Sequence, residues 1–393
     1  MLKGKSILLG ITGSVAAYKA IDLIKGLKNE GASVSVIMTG ASKHFVTTMS
    51  IEIAASPGPV VWDMFETRMA HIDRPRNADL FIIAPATANT IGKYACGIAD
   101  NLLNAALLAF TGPVIIAPAM NWRMWQNPMV QKNMQQLAST GVITVGPETG
   151  PLACGEEGQG RMAGIETIIE AARKVFTPQD LAGEQVLVTA GPTREYIDPV
   201  RYISNRSSGK MGYALAKAAR RRGAAVTLIT GPSAVNVPDG VETVRVETAS
   251  EMQQAVMQRI GDSSLFIMCA AVADFAPEAT LPEKAEKSAI PSLKLRLNPD
   301  ILLETSRLAK RPFTVGFSAE TGHNIARAKK KMSDKKADMF IFNDVTKEGA
   351  GFDSETNEVT MIDGHGETAL PCMPKEEVAA AILDRITSLK RGG

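Results

Sequence analysis

The sequence predicts an α/β protein made of two doubly wound domains, each with a mainly parallel sheet. Short apolar runs of strand length alternate with helical patterns along the whole chain, which is typical of parallel strands joined by crossover helices. The alternation starts afresh near the middle of the chain. A length of 393 residues is also too great for one ordinary core, so two domains are expected.

The first half contains four strand-like runs bounded by turn residues. A helix with the apolar residues Val15, Ile21, Ile24 and Leu27 on one face is predicted after the first run, ending near Gly31. One long helix, about 89–110, is predicted between the last two runs. The four runs are SILLGI from Ser6, ASVSVIM from Ala32, DLFIIAPAT from Asp79 and PVIIAPAM from Pro113.

The pattern restarts at QVLVTAGPT, residues 185–193, followed by a long Gly/Ser/Arg loop and a helix near 211–222. The boundary is placed in the polar stretch FTPQDLAGEQ, which contains Pro and Gly, and gives domains 1–180 and 181–393. The halves share an architecture but no motif repeat. The remaining predicted strands are AVTLITG from Ala225, LFIMCAAVAD from Leu265, FTVGFSAET from Phe313 and DMFIFND from Asp338.

Composition excludes several classes of protein. A net charge of +2 gives no reason to expect nucleic acid or an anionic membrane as partner, and no apolar run reaches the length of about 18 residues that spans a bilayer. The four cysteines lie far apart with no C-x-x-C pair, which argues against a zinc site or a disulfide framework. We therefore expect a cytoplasmic protein, because a reducing compartment suits isolated thiols.

Ligands of open α/β sheets bind at the carboxyl ends of the strands, so the residues after each run are the candidates. Gly13 and Ser14 open the first helix, where backbone N–H groups can hold a phosphate, although a serine N-cap alone explains them. Thr87, Asn89 and Thr90 suit a phosphate or a ring carbonyl, or equally a helix cap.

Three further polar residues are ambiguous when taken singly. Asn121 follows a strand, where its amide can bind a carboxylate or can be an ordinary loop asparagine. His71 precedes a strand, and a lone histidine is more often structural than catalytic. Cys154 lies in the glycine-rich stretch GPLACGEEGQGRM, residues 150–162, which is either a linker with an incidental thiol or a lid that carries the thiol to a ligand.

Taken together, these stretches resemble the homo-oligomeric flavin-containing cysteine decarboxylase family, in particular its phosphopantothenoylcysteine decarboxylase branch. The resemblance covers about residues 5–162 and rests on G-S-V-A, histidine followed by isoleucine, P-A-T-A-N-T, P-A-M-N-x-x-M-W and A-C-G-E-x-G-x-G-R-M. It implies a flavodoxin-like or Rossmann-like fold with FMN as cofactor. The residues implied near FMN are Gly13, Ser14, Val15, Thr39, Ala41, Thr87, Ala88, Asn89, Thr90 and Ala119.

The resemblance also implies catalytic roles. Removal of a hydride from the substrate Cβ makes a thioaldehyde, so that loss of CO₂ leaves an enethiolate that must be protonated. Residues 150–162 would be a substrate flap with Cys154 as the proton donor, and its closure would exclude water. Asn121 would hold the departing carboxylate, and His71 would orient or deprotonate the substrate.

In the second half, the segment 189–216 has the highest concentration of candidate ligand-binding residues. Ser207, Ser208, Gly209 and Lys210 precede a helix, as in a polyphosphate cradle. The pattern is not that of a P-loop, because Met211 follows the lysine, and a long surface loop is a comparable interpretation.

This segment, together with A-A-V-A-D-F, N-P-D-I and G-F-S-A-E-T, resembles the bacterial-type phosphopantothenate–cysteine ligases over about residues 185–389. The resemblance implies a Rossmann-like ligase domain that uses CTP as co-substrate with Mg²⁺ or a similar divalent cation, whose ligands it does not identify. It assigns Lys284 to catalysis and Asn205 to turnover of an acyl-cytidylate. The position two after Lys284 is Glu286, where the family often has a second lysine, which leaves open what else reaches the phosphates. The implied CTP contacts are Met268, Cys269, Ala270, Asp274, Lys284, Pro299, Asp300, Ile301, Leu302, Phe317, Lys331 and Lys335.

In this order, the two resemblances are those of the bifunctional decarboxylase–ligase family of coenzyme A biosynthesis. They imply CTP-dependent ligation of cysteine to 4′-phosphopantothenate, then FMN-dependent decarboxylation of phosphopantothenoylcysteine to 4′-phosphopantetheine. They also imply a homo-oligomer with a trimeric first domain and a dimeric second domain, possibly a dodecamer. One alternative is a flavin prenyltransferase-like first domain fused to a nucleotide-binding domain, which leaves Asn121 and the Cys154 flap unexplained. Another is a nucleotide-sensing regulatory protein without turnover.

Overall fold

The structure is a computed structural model, and it describes residues 2–64, 69–151, 155–284, 286, 292–322, 324–347, 351 and 353–392. The chain forms two compact units, Met1–Thr177 and Pro178–Gly393. The division therefore falls slightly before the predicted junction at 180/181. The reason is that Asp180 pairs with the buried Arg222 at 2.5 Å and Leu181 is buried, both within the second unit.

The first unit alternates strands and helices. Its strands are β1 (Ser6–Ile11), β2 (Ser33–Met38), β3 (Val60–Val61), β4 (Leu80–Ala86), β5 (Val114–Pro118), β6 (Ile143–Thr144), β7 (Glu148–Pro151) and β8 (Glu157–Arg161). Its helices are α1 (Ala20–Asn29), α2 (Thr48–Ala55), α3 (Ala70–Arg76), α4 (Ala88–Ala95), α5 (Leu102–Ala109), α6 (Trp122–Gln126), α7 (Pro128–Ser139) and α8 (Ile165–Val175), with 3-10 turns at Val15–Lys19 and Gly40–His44.

The main sheet of the first unit has the order β3-β2-β1-β4-β5-β6, and all its neighbouring strands are parallel. Ile7 of β1 is in register with Val34 of β2 on one side and with Leu80 of β4 on the other. Apolar side chains from both faces are buried against helices, as a parallel sheet requires. The strand order reverses direction between β1 and β4, which opens a crevice at their carboxyl ends.

Two helix predictions in this unit were wrong. The predicted helix over 89–110 is two helices, α4 and α5. Gly97 adopts a φ of 70°, and the Asn101 side chain begins α5 by accepting a hydrogen bond from Asn104 N at 3.0 Å. Val15 is 52% exposed and does not share the buried face of Ile24 and Leu27, because a 3-10 turn precedes α1 and changes the helical phase.

The second unit has a larger set of elements. Its strands are β9 (Gln185–Ala190), β10 (Arg194–Tyr196), β11 (Tyr202–Ser204), β12 (Ala225–Thr230), β13 (Glu242–Arg245), β14 (Leu265–Met268), β15 (Phe275–Pro277), β16 (Leu295–Leu297), β17 (Phe313–Glu320), β18 (Met339–Asp344), β19 (Thr356–Asn357), β20 (Val359–Asp363), β21 (Gly366–Ala369) and β22 (Met373–Pro374). Its helices are α9 (Lys210–Arg221), α10 (Ala249–Met257), α11 (Ile301–Thr305), α12 (Ile325–Asp334) and α13 (Lys375–Gly392), with a 3-10 turn at Ile260–Asp262.

The sheet order of the second unit is β13-β12-β9-β14-β17-β18-β20-β21. The six strands from β13 to β18 are parallel and follow the same relative order as the sheet of the first unit. The predicted α/β class with two doubly wound, mainly parallel sheets is confirmed. The antiparallel strands β20 and β21 were not predicted, and they make this sheet mixed. Within the described residues, no helix is long and apolar enough to cross a membrane.

Candidate active sites

The first unit holds a cavity of about 970 Å³ at the carboxyl ends of β1, β2, β4 and β5. The structure brings every residue predicted near FMN into its wall, together with Asn121. The remaining lining residues come from the loop and 3-10 turn after β1, the 3-10 turn after β2, the start of α5, the segment from the end of β5 into α6, and the β7–β8 hairpin with the residue that follows it. They are Thr12, Ala16, Tyr18, Lys19, Gly40, Asn101, Met120, Met124, Pro151, Gly160, Arg161 and Met162.

Thr12 connects two walls of this cavity, and the sequence analysis did not identify it. Its hydroxyl donates to Pro85 O at 2.7 Å and accepts from Thr87 N at 3.1 Å. Thr12 is buried, so these bonds fix the loop after β1 against the end of β4. Its position directly after a strand, beside Gly13, was the available signal.

The hydroxyl groups suggested as phosphate ligands serve as helix caps here. Ser14 accepts from Ala16 N at 3.4 Å, and Thr87 accepts from Thr90 N at 3.5 Å. Because both caps also line the cavity, the same helix starts present backbone N–H groups to any anion bound there. The capping and ligand-binding interpretations are therefore compatible.

Gly13 permits a close approach between two loops of the cavity. A Cβ atom at this position would lie 2.5 Å from the Ala41 Cβ atom and 3.1 Å from the Ala41 carbonyl carbon. No side chain fits at such distances without moving the backbone of one loop. Gly13 thus sets how closely the loop after β1 lies to the loop after β2.

Asn121 begins α6 and faces the cavity. Its Oδ1 accepts from Arg123 N at 2.9 Å, and its Nδ2 donates to Glu156 Oε2 at 3.1 Å. His71 lies on α3 and is not among the residues that line the cavity. Its Nδ1 is buried, and no group in the described part of the chain hydrogen-bonds it. Cys154 lies outside the described residues, whereas both strands of the surrounding hairpin are described and pair antiparallel.

The second unit holds a cavity of about 800 Å³ between the carboxyl ends of β14 and β17 and the start of α9. It contains Asn205 and every predicted CTP contact except Lys284, which is exposed on the segment that follows β15. The loop 205–212 forms one wall, so the suggested polyphosphate cradle faces the cavity. Other lining residues are Ala271, Val272, Ala273, Leu297, Asn298, Ser318, Ala319, Asn343, Gly351, Asn357 and Lys375.

Two lysines of this cavity are paired with acidic groups. Lys331 Nζ lies 2.5 Å from Glu320 Oε1, and Lys335 Nζ lies 3.2 Å from Asp300 Oδ2. Although burial favours the neutral acid, the hydrogen bond from Lys331 holds the pKa of Glu320 below its ordinary value. Both lysines therefore lie in the cavity wall in ion pairs with these carboxylates.

Two lining residues have unusual surroundings. Lys375 is 7% exposed, and its Nζ donates to Ser354 O at 2.6 Å. Burial, reinforced by the charge of Lys210, lowers the pKa of Lys375. Burial raises the pKa of Cys269 to about 12, which favours the protonated thiol. Sequence reasoning missed Lys375, although a lysine at the first position of a helix opposes the helix dipole and was a usable signal.

Among the side chains that the structure describes, no group of three or more His, Cys, Asp or Glu residues could hold a metal ion. A Mg²⁺ ion that arrives with a nucleotide needs no such cluster, because phosphate oxygens and waters supply most of its ligands. The chemistry of this cavity, with lysines and few carboxylates, fits a polyphosphate.

Comparisons with known proteins match both halves. The Flavoprotein family model matches residues 1–177, and the model for the DNA/pantothenate metabolism flavoprotein C-terminal domain matches residues 181–389. The coenzyme A biosynthesis bifunctional protein CoaBC of Vibrio vulnificus (strain CMCP6) is 44% identical and covers 99% of this chain and 98% of its own length. That of Bacillus subtilis (strain 168) is 43% identical, with coverages of 100% and 98%.

A solved crystal structure, the C-terminal domain of a coenzyme A biosynthesis bifunctional protein CoaBC, is 38% identical, with a TM-score of 0.48. It covers 55% of this chain and 100% of its own chain. Since both family models match, and since relatives of this identity extend over nearly the whole chain, the chain belongs to the family of coenzyme A biosynthesis bifunctional proteins.

Proposed function

We propose that this chain is a carbon–nitrogen ligase and a carbon–carbon lyase that performs two consecutive steps of coenzyme A biosynthesis. The second unit ligates cysteine to 4′-phosphopantothenate at the expense of CTP, and the first unit decarboxylates the phosphopantothenoylcysteine formed. One observation carries the proposal: each unit has a cavity at the carboxyl ends of its parallel sheet, the first lined by all residues predicted near FMN and by Asn121, the second by Asn205 and by all predicted CTP contacts except Lys284. We propose that the chain acts in the cytoplasm as a homo-oligomer.

In the first cavity, the loops that begin with Gly13 and Thr87 would hold the phosphate and ring of FMN. FMN, when bound, supplies the oxidation and the later return of the hydride. The amide of Asn121 would bind the substrate carboxylate, and Cys154 would deliver the proton from the flap. His71 does not line the cavity of its own chain, so a role for it needs another copy of the chain, as the proposed trimer would provide.

In the second cavity, Lys331 and Lys335 would neutralise the triphosphate, with Mg²⁺ carried mainly by phosphate oxygens. Lys210 and Lys375 lie in the same wall and suit the phosphate of 4′-phosphopantothenate. Lys284 would assist loss of pyrophosphate, which requires its exposed segment to approach the cavity.

The test uses the purified full-length protein. With 4′-phosphopantothenate, cysteine and CTP, it should release pyrophosphate and CO₂ and form 4′-phosphopantetheine, detected by mass spectrometry. Omission of CTP should stop both steps, and added phosphopantothenoylcysteine should restore CO₂ release alone. The protein should be yellow and release FMN on denaturation. A flavin-loaded protein that releases no CO₂ from phosphopantothenoylcysteine would contradict the proposal for the first unit.

Gly13→Ala is expected to weaken flavin retention. The added Cβ atom meets Ala41 at 2.5 Å, so the loop after β1 must move away from its neighbour. Overpacking of this kind costs about 1–3 kcal/mol, or roughly a 5- to 150-fold weaker affinity if the strain falls on the binding loop. The molar ratio of FMN released on denaturation to protein measures how much flavin the variant retains.

The second substitution Ala41→Gly removes the atom that the new Cβ atom contacts. The double variant Gly13→Ala/Ala41→Gly should therefore regain part of the lost flavin. If Gly13→Ala retained flavin as the unmodified protein does, the close approach of the two loops would have no role in binding.

A further inference from the structure

The β7–β8 hairpin lies directly on the turn that carries Asn121. Met120 N donates to Gly160 O at 3.0 Å, and a Cβ atom at Gly160 would lie 2.1 Å from Met120 O. Only glycine allows this contact between backbones. The hairpin is therefore in position to place a side chain against Asn121 from outside the cavity.

That side chain is Glu156. Its Oε2 accepts from Asn121 Nδ2 at 3.1 Å and from Trp122 Nε1 at 2.8 Å, and its Oε1 accepts from Arg123 Nη2 at 2.8 Å. Asn121 lines the cavity, whereas Glu156, Trp122 and Arg123 are not part of its wall. The Glu156 carboxylate thus contacts the amide of Asn121 from outside the cavity and does not occupy the space available to a ligand.

The oxygen of the Asn121 amide has a hydrogen-bond donor as its partner, and the nitrogen has an acceptor. Oδ1 accepts from the backbone N–H of Arg123 at 2.9 Å, and Nδ2 donates to the Glu156 carboxylate. Rotation of the amide by 180° would bring two oxygens together at Glu156 and two N–H groups together at Arg123. The hydrogen-bond network therefore determines which end of the amide is the NH₂ group.

This orientation matters for an anion. Only the NH₂ end of an amide can donate a hydrogen bond to a carboxylate, and the carbonyl end would repel it. We infer that Glu156 is a positioning residue for decarboxylation, which holds the Asn121 amide in the orientation that binds the substrate carboxylate. The inference rests on the proposed function of the first unit.

The contribution comes from the hydrogen bonds and not from the charge of Glu156. Arg123 is 68% exposed and Glu156 is 37% exposed, so water screens their ion pair. In Glu156→Gln, the remaining oxygen can accept from Asn121 and Trp122. The glutamine NH₂ group then faces the Arg123 donor, but Arg123 is exposed and can turn into the solvent. Glu156→Ala removes all three acceptor contacts. A comparison of the two variants therefore distinguishes the effect of orienting the Asn121 amide from the effect of the negative charge of Glu156.

The experiment measures ligand affinity of the full-length, flavin-loaded protein. Glu156→Ala should raise the dissociation constant and the KM of phosphopantothenoylcysteine about 10- to 100-fold, as expected when a hydrogen-bond donor loses its acceptor. The affinity for 4′-phosphopantetheine, which lacks the carboxylate, should change less than about twofold. Glu156→Gln should stay within about threefold for both ligands. Glu157→Ala is the matched control, because Glu157 is the exposed neighbouring glutamate of the same hairpin.

A comparison of single and double variants tests whether Glu156 affects substrate binding through Asn121. If Glu156 acts through Asn121, then Glu156→Ala should add little to Asn121→Ala. Ligation by the second unit and the flavin content should match those of the unmodified protein. Equal weakening for both ligands, loss of flavin, or additive effects with Asn121→Ala would each overturn the inference in favour of a structural role. Absence of CO₂ release from the unmodified protein would instead contradict the proposed function.

Discussion

Asn121→Asp is expected to lower the rate of decarboxylation by roughly a thousandfold while FMN stays bound. The change replaces the amide nitrogen, which lies 3.1 Å from Glu156 Oε2, by a carboxylate oxygen in the wall that should receive the substrate carboxylate. Two like charges about 4 Å apart repel by about 4 kcal/mol at an effective dielectric constant near 20, which corresponds to about three orders of magnitude in rate. CO₂ release and flavin absorbance report the two quantities.

Asn127→Asp is the matched control for this substitution. Asn127 also caps a helix, accepting from Met129 N at 2.9 Å, and an aspartate can do the same. It lies outside the cavity wall, so decarboxylation should be unchanged.

The pH dependence of Asn121→Asp gives a second test. A carboxyl group beside another carboxylate has a raised pKa, so the introduced group becomes neutral as the pH falls. The residual activity of the variant should therefore rise, relative to the unmodified protein, toward acidic pH. Loss of FMN from the variant would assign Asn121 to cofactor binding or folding, and a normal rate would show that the substrate carboxylate binds elsewhere.

Asn205→Asp is expected to slow ligation about 100- to 1,000-fold and to accumulate the acyl-cytidylate. The Asn205 amide donates to Val272 O at 2.9 Å and lies in the wall of the second cavity. A neutral donor of this kind stabilises the oxyanion that develops when the cysteine amine attacks, and removal of one such donor typically costs this factor. An aspartate has no N–H group and would direct an oxygen at the Val272 carbonyl. Formation of the intermediate continues while its consumption stalls.

Mass spectrometry of quenched reactions distinguishes the two steps. Lys284→Gln should accumulate no intermediate and release little pyrophosphate, because the departure of pyrophosphate needs a cation. Asn324→Asp is the control, since Asn324 caps α12 through Arg327 N at 3.1 Å and lies outside the cavity wall. If the acyl-cytidylate accumulates in Lys284→Gln instead, then Lys284 acts in its consumption and Asn205 in its formation. Normal ligation by both variants would contradict the assignment of this site.

The sequence by itself determined most of the buried parallel strands and the edge of each sheet at which the cavities lie. SILLGI forms β1 over Ser6–Ile11 as predicted, and QVLVTAGPT contains β9 over Gln185–Ala190. Such runs are readable because a strand buried on both faces is apolar at nearly every position and ends at turn residues. Parallel strands bring their carboxyl ends to one edge of the sheet, so residues far apart in the chain, such as Ser14 and Thr87, were expected together.

Only the tertiary structure decided the features that depend on contacts between distant residues. The antiparallel pairing of β20 with β18 has no local signal, and a lysine at the start of α13 does not by itself show that Lys375 lines the cavity. The hydrogen bond from Asn121 to Glu156 joins residues separated by 35 positions, and only the packed structure shows that Asn121 lines the cavity while Glu156 does not. Local sequence encodes periodicity and caps, whereas the partner of a polar side chain is set by which loops the packed core brings together.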